Sequence, residues 1–455
     1  MKVNKGTPSD AMPKHKPFDT IGRIFFKPEA ILILLLALFG LSVAWRTSSI
    51  NSEVDFYQFW VVGQSMNHPG INNVYSDDAR ESLGTEFLEK AKDSANLGRV
   101  AAAEYRKKLE TYSSPFLYAL FGMFSTGNYE IDIRNYRLLM LAALIFGIGN
   151  LCRLLNHSWM TTLGAIAIFT DWFEPVSSDM RVGNVNSLQL AALVAYLRIV
   201  TQMPWNYRDI LGGAFLGLLM AFKPNLVFVA GVLGVNWMFN GQIRRLWFHA
   251  FGFAIGVIAA ILFAAASFRS PHCWTDWISA LHSMPGQIIT VDRGNFSAAQ
   301  FLDGLFGQNT AILLAVIFSG LTIALFWSRE QNAPCEKEAV TAAEEFPEVF
   351  AVSIGCLLIV LTTRLAWLHY YVLTIPAFLF LLRTVGVPSF GIRFILRQIL
   401  SASALVALAP APLACLGIPL SIHTQGVLAV YAALFLFFAL AIFPRRVKII
   451  GHRRG

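Results

Sequence analysis

The sequence predicts an all-α, polytopic membrane protein, and three observations carry that prediction. Of its 455 residues, 55% are hydrophobic and 14% charged, with a mean hydropathy of +0.54. The apolar residues gather in repeated runs of roughly 15 to 22, the length a helix needs to cross a bilayer. Lys and Arg are shared unevenly between the segments that join those runs.

In chain order, residues 1–28 are polar and basic and predict a cytoplasmic segment. No small-residue cleavage site follows the first apolar run, so that run is expected to stay in the membrane. About twelve spans are expected, at 29–45, 135–152, 158–174, 186–202, 209–223, 225–240, 246–268, 308–327, 348–364, 367–384, 396–416 and 425–443. They make one integral membrane domain, 29–443, followed by a basic cytoplasmic tail, 444–455. With the N-terminus inside, the inner segments hold 21 of the 36 basic residues and the short outer loops five: Arg181, Lys223, Arg269, Arg293 and Arg364. The net charge of +8 is therefore accounted for by topology and anionic lipid, with no need of nucleic acid.

Two outer segments, 46–134 and 269–307, are too long to be turns. The first holds an aromatic amphipathic stretch at 55–66, a turn at 68–78 and a charged, Ala-rich helical pattern from Arg80 to Tyr112, which predict interfacial helices. "SSPFLYALFGMF" (113–124) is apolar enough to suggest a span, but a crossing there would flip every later loop and put Arg244 and Arg245 outside. It predicts a short helix at the outer surface instead. The inner loop 328–348 is polar and carries no assigned function.

Several classes are excluded. Of the five cysteines, Cys152 and Cys335 fall at the inner face, Cys356 and Cys415 within spans, and Cys273 alone outside, so no structural disulfide is expected. No metal or nucleotide motif occurs in its proper context, and neither a metal nor a cofactor is expected. No repeat at a solenoid period is present, and an inverted-repeat transporter finds no support.

Candidate chemistry clusters at the outer face. "SEVDFYQFW" (52–60) sets Glu53 and Asp55 among aromatic residues just beyond the first span. Ser52 or Asp55 could cap a helix; alternatively, apolar surroundings could raise the proton affinity of Asp55, as a general base requires. "EPVSSDMRVGNVNSLQL" (174–190) brings Asp179, Arg181, Asn184 and Asn186 to the bundle mouth, either as a polar turn or as a ligand site that Gly183 lets the backbone approach. "AFKPNLVF" (221–228) puts Lys223 in an apolar hairpin, where it could snorkel or meet a lipid phosphate. Asp292, Arg293 and Asn295 lie in the second outer loop. Arg364 and His369 stand among Trp367, Tyr370 and Tyr371, which an interfacial aromatic belt would also explain.

Taken in order, "VDFYQFWVVGQSM…GINNVYS" (54–76), "YSSPFLYALFG" (112–122), "RVGNVNSLQLAALV" (181–194), "GGAFLGLLMAFKPNLVFV" (212–229), "NFSAAQFL" (295–302) and "WLHYYVLTIPAFLFLL" (367–382) resemble glycosyltransferase family 87, polyprenyl-phosphate-mannose-dependent mannosyltransferases of GT-C fold. The resemblance spans roughly residues 50–385. It implies a GT-C-like bundle in the inner (plasma) membrane with its active site on the periplasmic side. It also implies transfer of a hexose, mannose above all, from a polyprenyl-phosphate donor to a lipid- or glycan-linked acceptor. By the same resemblance the catalytic residues are Asp55, as the base, and His369, which matches the late Trp-His motif. Lys223, with Arg293 and Arg364, is expected at the donor phosphate. Asp179, Arg181, Asn184, Asn186, Asn295, Tyr57 and Trp367 are expected around the sugar and acceptor. The chain departs from the family pattern at Asn184, where Gln is usual, and at Thr363-Arg364, where Ser-Pro is usual, which leaves the sugar open. Competing readings are a transporter of lipid-linked sugars, for which the near absence of acidic residues at mid-membrane is unfavourable, and a non-catalytic membrane subunit.

Overall fold

A computed structural model describes residues 28–66, 73–307, 309–330, 346–383, 392–409 and 421–442. The predicted end segments, all but residue 28, lie outside the described residues, as do Cys335, Cys415, most of the 328–348 loop and residues 68–72 of the 68–78 turn. Among the described residues no strand forms; a single isolated bridge pairs Asn295 with Trp367.

Helix α1 (Pro28–Ile50) buries Ala30, Ala37, Gly40, Ala44 and Ser48 and turns Leu32, Leu35, Leu38 and Phe39 outward. Small residues inward and large apolar residues outward is the pattern of a helix that packs closely on protein while facing lipid. The segment expected outside, 46–134, then folds into α2 (Val54–Ser65), α3 (Asp77–Lys92), α4 (Leu97–Tyr105) and α5 (Pro115–Phe124). At ten residues α5 is too short to span. Helix α2 differs from the expected interfacial helix: Phe56, Tyr57, Gln58, Phe59 and Trp60 are all buried, because α5 and the segment after α4 close over it.

The bundle follows as α6 (Tyr129–Leu154), α7 (Trp159–Asp171), the short α8 (Glu174–Val182), α9 (Asn186–Gln202), α10 (Trp205–Phe222), α11 (Val227–Phe239) and α12 (Ile243–Phe268). The second outer segment carries α13 (Cys273–His282) and α14 (Ala298–Phe306), and the chain continues as α15 (Thr310–Glu330), α16 (Pro347–Thr362), α17 (Ile375–Arg383), α18 (Ile392–Ala407) and α19 (Ile422–Ala441). Helix α16 is buried on every side from Glu348 to Thr362 and forms the centre of the bundle, as an all-apolar helix should. Helices α10 and α12 meet backbone to backbone: a methyl group at Gly213 or Gly256 would collide with the carbonyl of His249 or Ala214. At the opposite end from the outer segments, buried Arg245 pairs with Asp209 at 3.0 Å and with Glu348, and donates to the Val200 carbonyl, fastening α9, α10, α12 and α16 together.

Each of the twelve expected spans overlaps a helix. Among the described residues five helices are long and apolar enough to cross a membrane: Pro28–Ile50, Tyr129–Leu154, Ile243–Phe268, Thr310–Ser328 and Ile422–Ala441. Helix α7 is shorter than the expected 158–174, with Pro175 in the first turn of α8 shortly after it, whereas α10, bracketed by Pro204 and Pro224, is longer than the expected 209–223.

Candidate functional site

The site begins at the entry to α2. Glu53, not Ser52 or Asp55, occupies the N-cap, in a left-handed conformation (φ 46°) with no side-chain cap bond. Such a φ is uncommon for a residue with a Cβ and is held by its surroundings. The Glu53 carboxylate pairs with Arg137 at 2.6 Å and accepts from Ser48, and burial holds its pKa above the ordinary carboxylate value against the pull of both. Opposite stands Gly183 (φ +67°), where a Cβ would lie 2.8 Å from that of Phe56. Only glycine suits this position, where the chain is left-handed and the space is already filled. The contact seats α8 against α2 and turns Asp55 in the other direction.

Asp55 lies in the first turn of α2, where the helix dipole favours an anion. The expected apolar surroundings are not what its carboxylate meets. Arg106 Nη2 donates to Oδ1 at 2.8 Å and Asn184 Nδ2 to Oδ2 at 2.7 Å. Asn184 Oδ1 in turn accepts from Lys223 Nζ at 2.9 Å, and Lys223 also donates to Asn186 Oδ1 at 3.3 Å and lies 4.4 Å from the ring centre of Tyr370. Lys223 reaches this position because α10 ends at Phe222, where Pro224 breaks the helix.

Asp179 anchors the arrangement from below. It is fully buried, and its oxygens accept from the Asn186 amide (Nδ2, 2.9 Å) and from the Ser187 N–H and hydroxyl at 2.9 and 2.7 Å, so it caps the start of α9. Burial raises its pKa, opposed by Ser187, Asn186 and the charge of Lys223.

A cavity of about 420 Å³ opens over Asp55, lined also by Arg106, Glu110, Arg181, Asn184, Arg293, Trp367, His369 and Tyr370. Its far wall is the loop before α14, held by Asn295: the buried amide donates to the carbonyls of Ile289 (2.8 Å) and Arg364 (3.0 Å) and accepts from Ala366 N–H at 2.9 Å. This bond set aligns the loop with Trp367 and presents Arg293, half exposed, whose guanidinium is 3.9 Å from Glu110. His369 is buried at the cavity wall, and its Nε2 has no hydrogen-bond partner among the described residues.

The structure thus brings Asp55, Arg181, Asn184, Arg293, Trp367 and His369 to one cavity, with Lys223, Asn186 and Asp179 directly behind Asn184. Asn295 acts through its backbone partners. Two residues are not brought in. Tyr57 packs against Trp60 and Tyr129 on the other face of α2, and the Arg364 side chain is exposed outside the cavity lining. Arg106 and Glu110 were missed. Their stretch, "AAAEYRKKLE", looks in sequence like a solvated amphipathic helix, and only the closing of the chain after α4 over α2 puts Arg106 in contact with Asp55.

A wider hollow of about 880 Å³ lies among Asn96, Arg99, Asn128, Tyr129 and Glu130. It is open to solvent, and several of its polar groups are bonded within the chain, Asn96 donating to Glu130 at 2.8 Å and Asn128 capping α6. The smaller cavity, with its buried charges and convergent donors, is the better site.

Comparison with protein-family profiles matches residues 111–346 to glycosyltransferase family 87. That segment includes Asp179, Arg181, Asn184, Asn186, Lys223, Arg293 and Asn295, and the cavity they border is completed by Asp55 and His369 from either side of it. Searches of curated proteins and of solved structures return no match. Over half its length, the chain matches one family of membrane-embedded sugar transferases: it belongs to glycosyltransferase family 87.

Proposed function

We propose that this membrane glycosyltransferase transfers mannose from a polyprenyl-phosphate donor to a hydroxyl of a lipid- or glycan-linked acceptor, with inversion and without a metal. The observation that carries the proposal is the setting of Asp55. One carboxylate faces the cavity with a single donor on each oxygen, and two polar arms lead from it to cations, through Asn184 to Lys223 and through Arg106 and Glu110 to Arg293.

A sugar linked to a lipid phosphate already carries a good leaving group, so one base suffices and a second carboxylic acid is not needed. Asp55 takes the proton of the acceptor hydroxyl as its oxygen bonds to the anomeric carbon. The bond from that carbon to the phosphate oxygen breaks on the opposite face, and the phosphate leaves with the electron pair. Lys223 and Arg293 carry its growing charge. Arg293 is favoured over Arg364 because it lines the cavity. His369, with a free ring nitrogen at the wall, hydrogen-bonds the sugar or the acceptor. Arg181, Asn184 and Trp367 contact the sugar.

In this reading the chain crosses the inner membrane about twelve times, with both ends in the cytoplasm and the cavity on the periplasmic side. The cavity residues come from segments that the Lys and Arg distribution assigns to the outer face, or from the span ends next to them. The test is transfer of radiolabelled mannose from polyprenyl-phosphate mannose in membranes carrying wild type or Asp55→Asn. Loss of a general base lowers turnover by roughly 10² to 10⁴. Near wild-type transfer by Asp55→Asn removes Asp55 as the base, and wild-type inactivity with this donor removes the donor.

A further inference from the structure

The cavity holds one buried cation that the reaction scheme leaves without a task. Arg106, only 6% exposed, donates through Nη2 to Asp55, through Nη1 to Glu110 and through Nε to the Val54 carbonyl at 3.4 Å. Glu110 alone would satisfy its charge, yet the guanidinium also reaches back 51 positions in sequence to Asp55. Burial opposes its charge, but Glu110 and Asp55 more than offset that and leave its pKa above the ordinary value.

The segment that carries it is fixed independently. Arg80 Nε donates to the Leu109 carbonyl at 2.7 Å, while Leu109 N–H donates to the Arg80 carbonyl. Gln58 Nε2 donates to the Glu110 carbonyl at 2.6 Å and its Oε1 accepts from Glu110 N–H at 2.9 Å. Gln58 lies one turn of α2 beyond Asp55, so the same helix that bears the carboxylate holds the strip that bears Arg106.

We infer that Arg106 is a positioning residue for Asp55: together with Asn184 it fixes both carboxylate oxygens, so that the remaining lone pairs point into the cavity at the acceptor hydroxyl. This rests on the reading of Asp55 as the base. Two fixed donors on one carboxylate define its plane, and a displacement of about 1 Å at a reacting group costs roughly 10²-fold in rate.

The experiment is a double-mutant cycle between Arg106→Gln and Asp55→Asn. It uses polyprenyl-phosphate donors carrying radiolabelled mannose, glucose or galactose, and proceeds with the one that wild type turns over. Arg106→Gln in the wild-type background should lower kcat roughly 10²-fold with donor KM changed only a few-fold, and Arg106→Lys should recover part of the loss. In the Asp55→Asn background the same substitution should cost almost nothing, because the group it positions has gone. An equal cost in both backgrounds, or no cost in either, overturns the inference and leaves Asp55 as the base. Near wild-type transfer by Asp55→Asn, or turnover of none of the donors, overturns both. Should Arg106→Gln fail to assemble, Arg106→Lys takes its place in the cycle with the same outcomes.

Discussion

Asp55 and Lys223 are joined by one side chain, the amide of Asn184, which donates to the carboxylate at 2.7 Å and accepts from the ammonium at 2.9 Å. The acid and the cation are thereby linked without forming an ion pair, Asp55 lining the cavity and Lys223 standing behind Asn184. The resemblance to the family expects Gln here; the shorter Asn serves because Gly183 brings the backbone in against α2.

Asn184→Ala should therefore remove the link. Lys223 and Asp55 would be free to approach each other, and turnover should fall by roughly 10- to 100-fold, the size of losing hydrogen bonds to two charged groups. Donor transfer kinetics of the purified variant check this, and unchanged kcat would show the amide to be dispensable.

Glu53→Gln should act on stability, not chemistry, because the side chain faces Arg137 and Ser48, away from the cavity. Transfer per folded molecule should stay within a few-fold of wild type while the melting temperature in detergent drops. Burial raises the Glu53 pKa above its ordinary 4.5, so the folded chain holds that proton more tightly than the unfolded chain. Its contribution is complete below that ordinary value and is lost as pH rises through the raised one. The melting deficit of Glu53→Gln should narrow over that interval, and a deficit that widens would contradict the assignment.

Lys223→Ala should weaken donor binding by roughly 10- to 100-fold, as expected for the loss of a charge-assisted contact to phosphate. Lys223→Arg should recover only part, since a planar fork replaces a compact charge already fitted between Asn184, Asn186 and the Tyr370 ring. Competition by unlabelled polyprenyl phosphate measures the affinity. An alanine variant with wild-type affinity would reduce Lys223 to an anchor.

Sidedness is open to direct labelling. Ser82→Cys, exposed on α3, should react with an impermeant thiol reagent in intact cells, and Asn240→Cys, at the end of α11, should not. Native Cys152, Cys273 and Cys356 are buried and should contribute little background. The opposite labelling pattern would invert the orientation.

Transfer should persist in the presence of a chelator, because Lys223 and Arg293 are proposed to supply the charge that a divalent ion would otherwise supply. Activity lost to chelation and restored by manganese would require a metal at the cavity and a different account of the phosphate.

The residues legible in the sequence were those with chemistry unusual for their surroundings: an acid next to a membrane span, a lysine in an apolar hairpin, a run of amides at a bundle mouth. Asp55, Asn184 and Lys223 were found in that way, and they lie within two hydrogen bonds of one another. Arg106 was not legible, because its neighbours make it look like any exposed cation, and the contact that distinguishes it depends on how the outer segment closes over α2. Tyr57 failed for a related reason. Two positions from Asp55 on a helix, it points to a different side. Helix positions were readable from the apolar runs, whereas boundaries such as that of α10, stopped at Phe222 by Pro224, fall inside apolar sequence.

The glycine seam between α10 and α12 would constrain the route of the proposed lipid-borne donor. Where Gly213 and Gly256 bring two backbones into contact, there is no side chain to swing aside, and opening that seam would mean pulling the helices apart along their length. The isoprenoid tail of the proposed donor would then have to reach the cavity between other helices, where side chains can yield without the bundle coming undone.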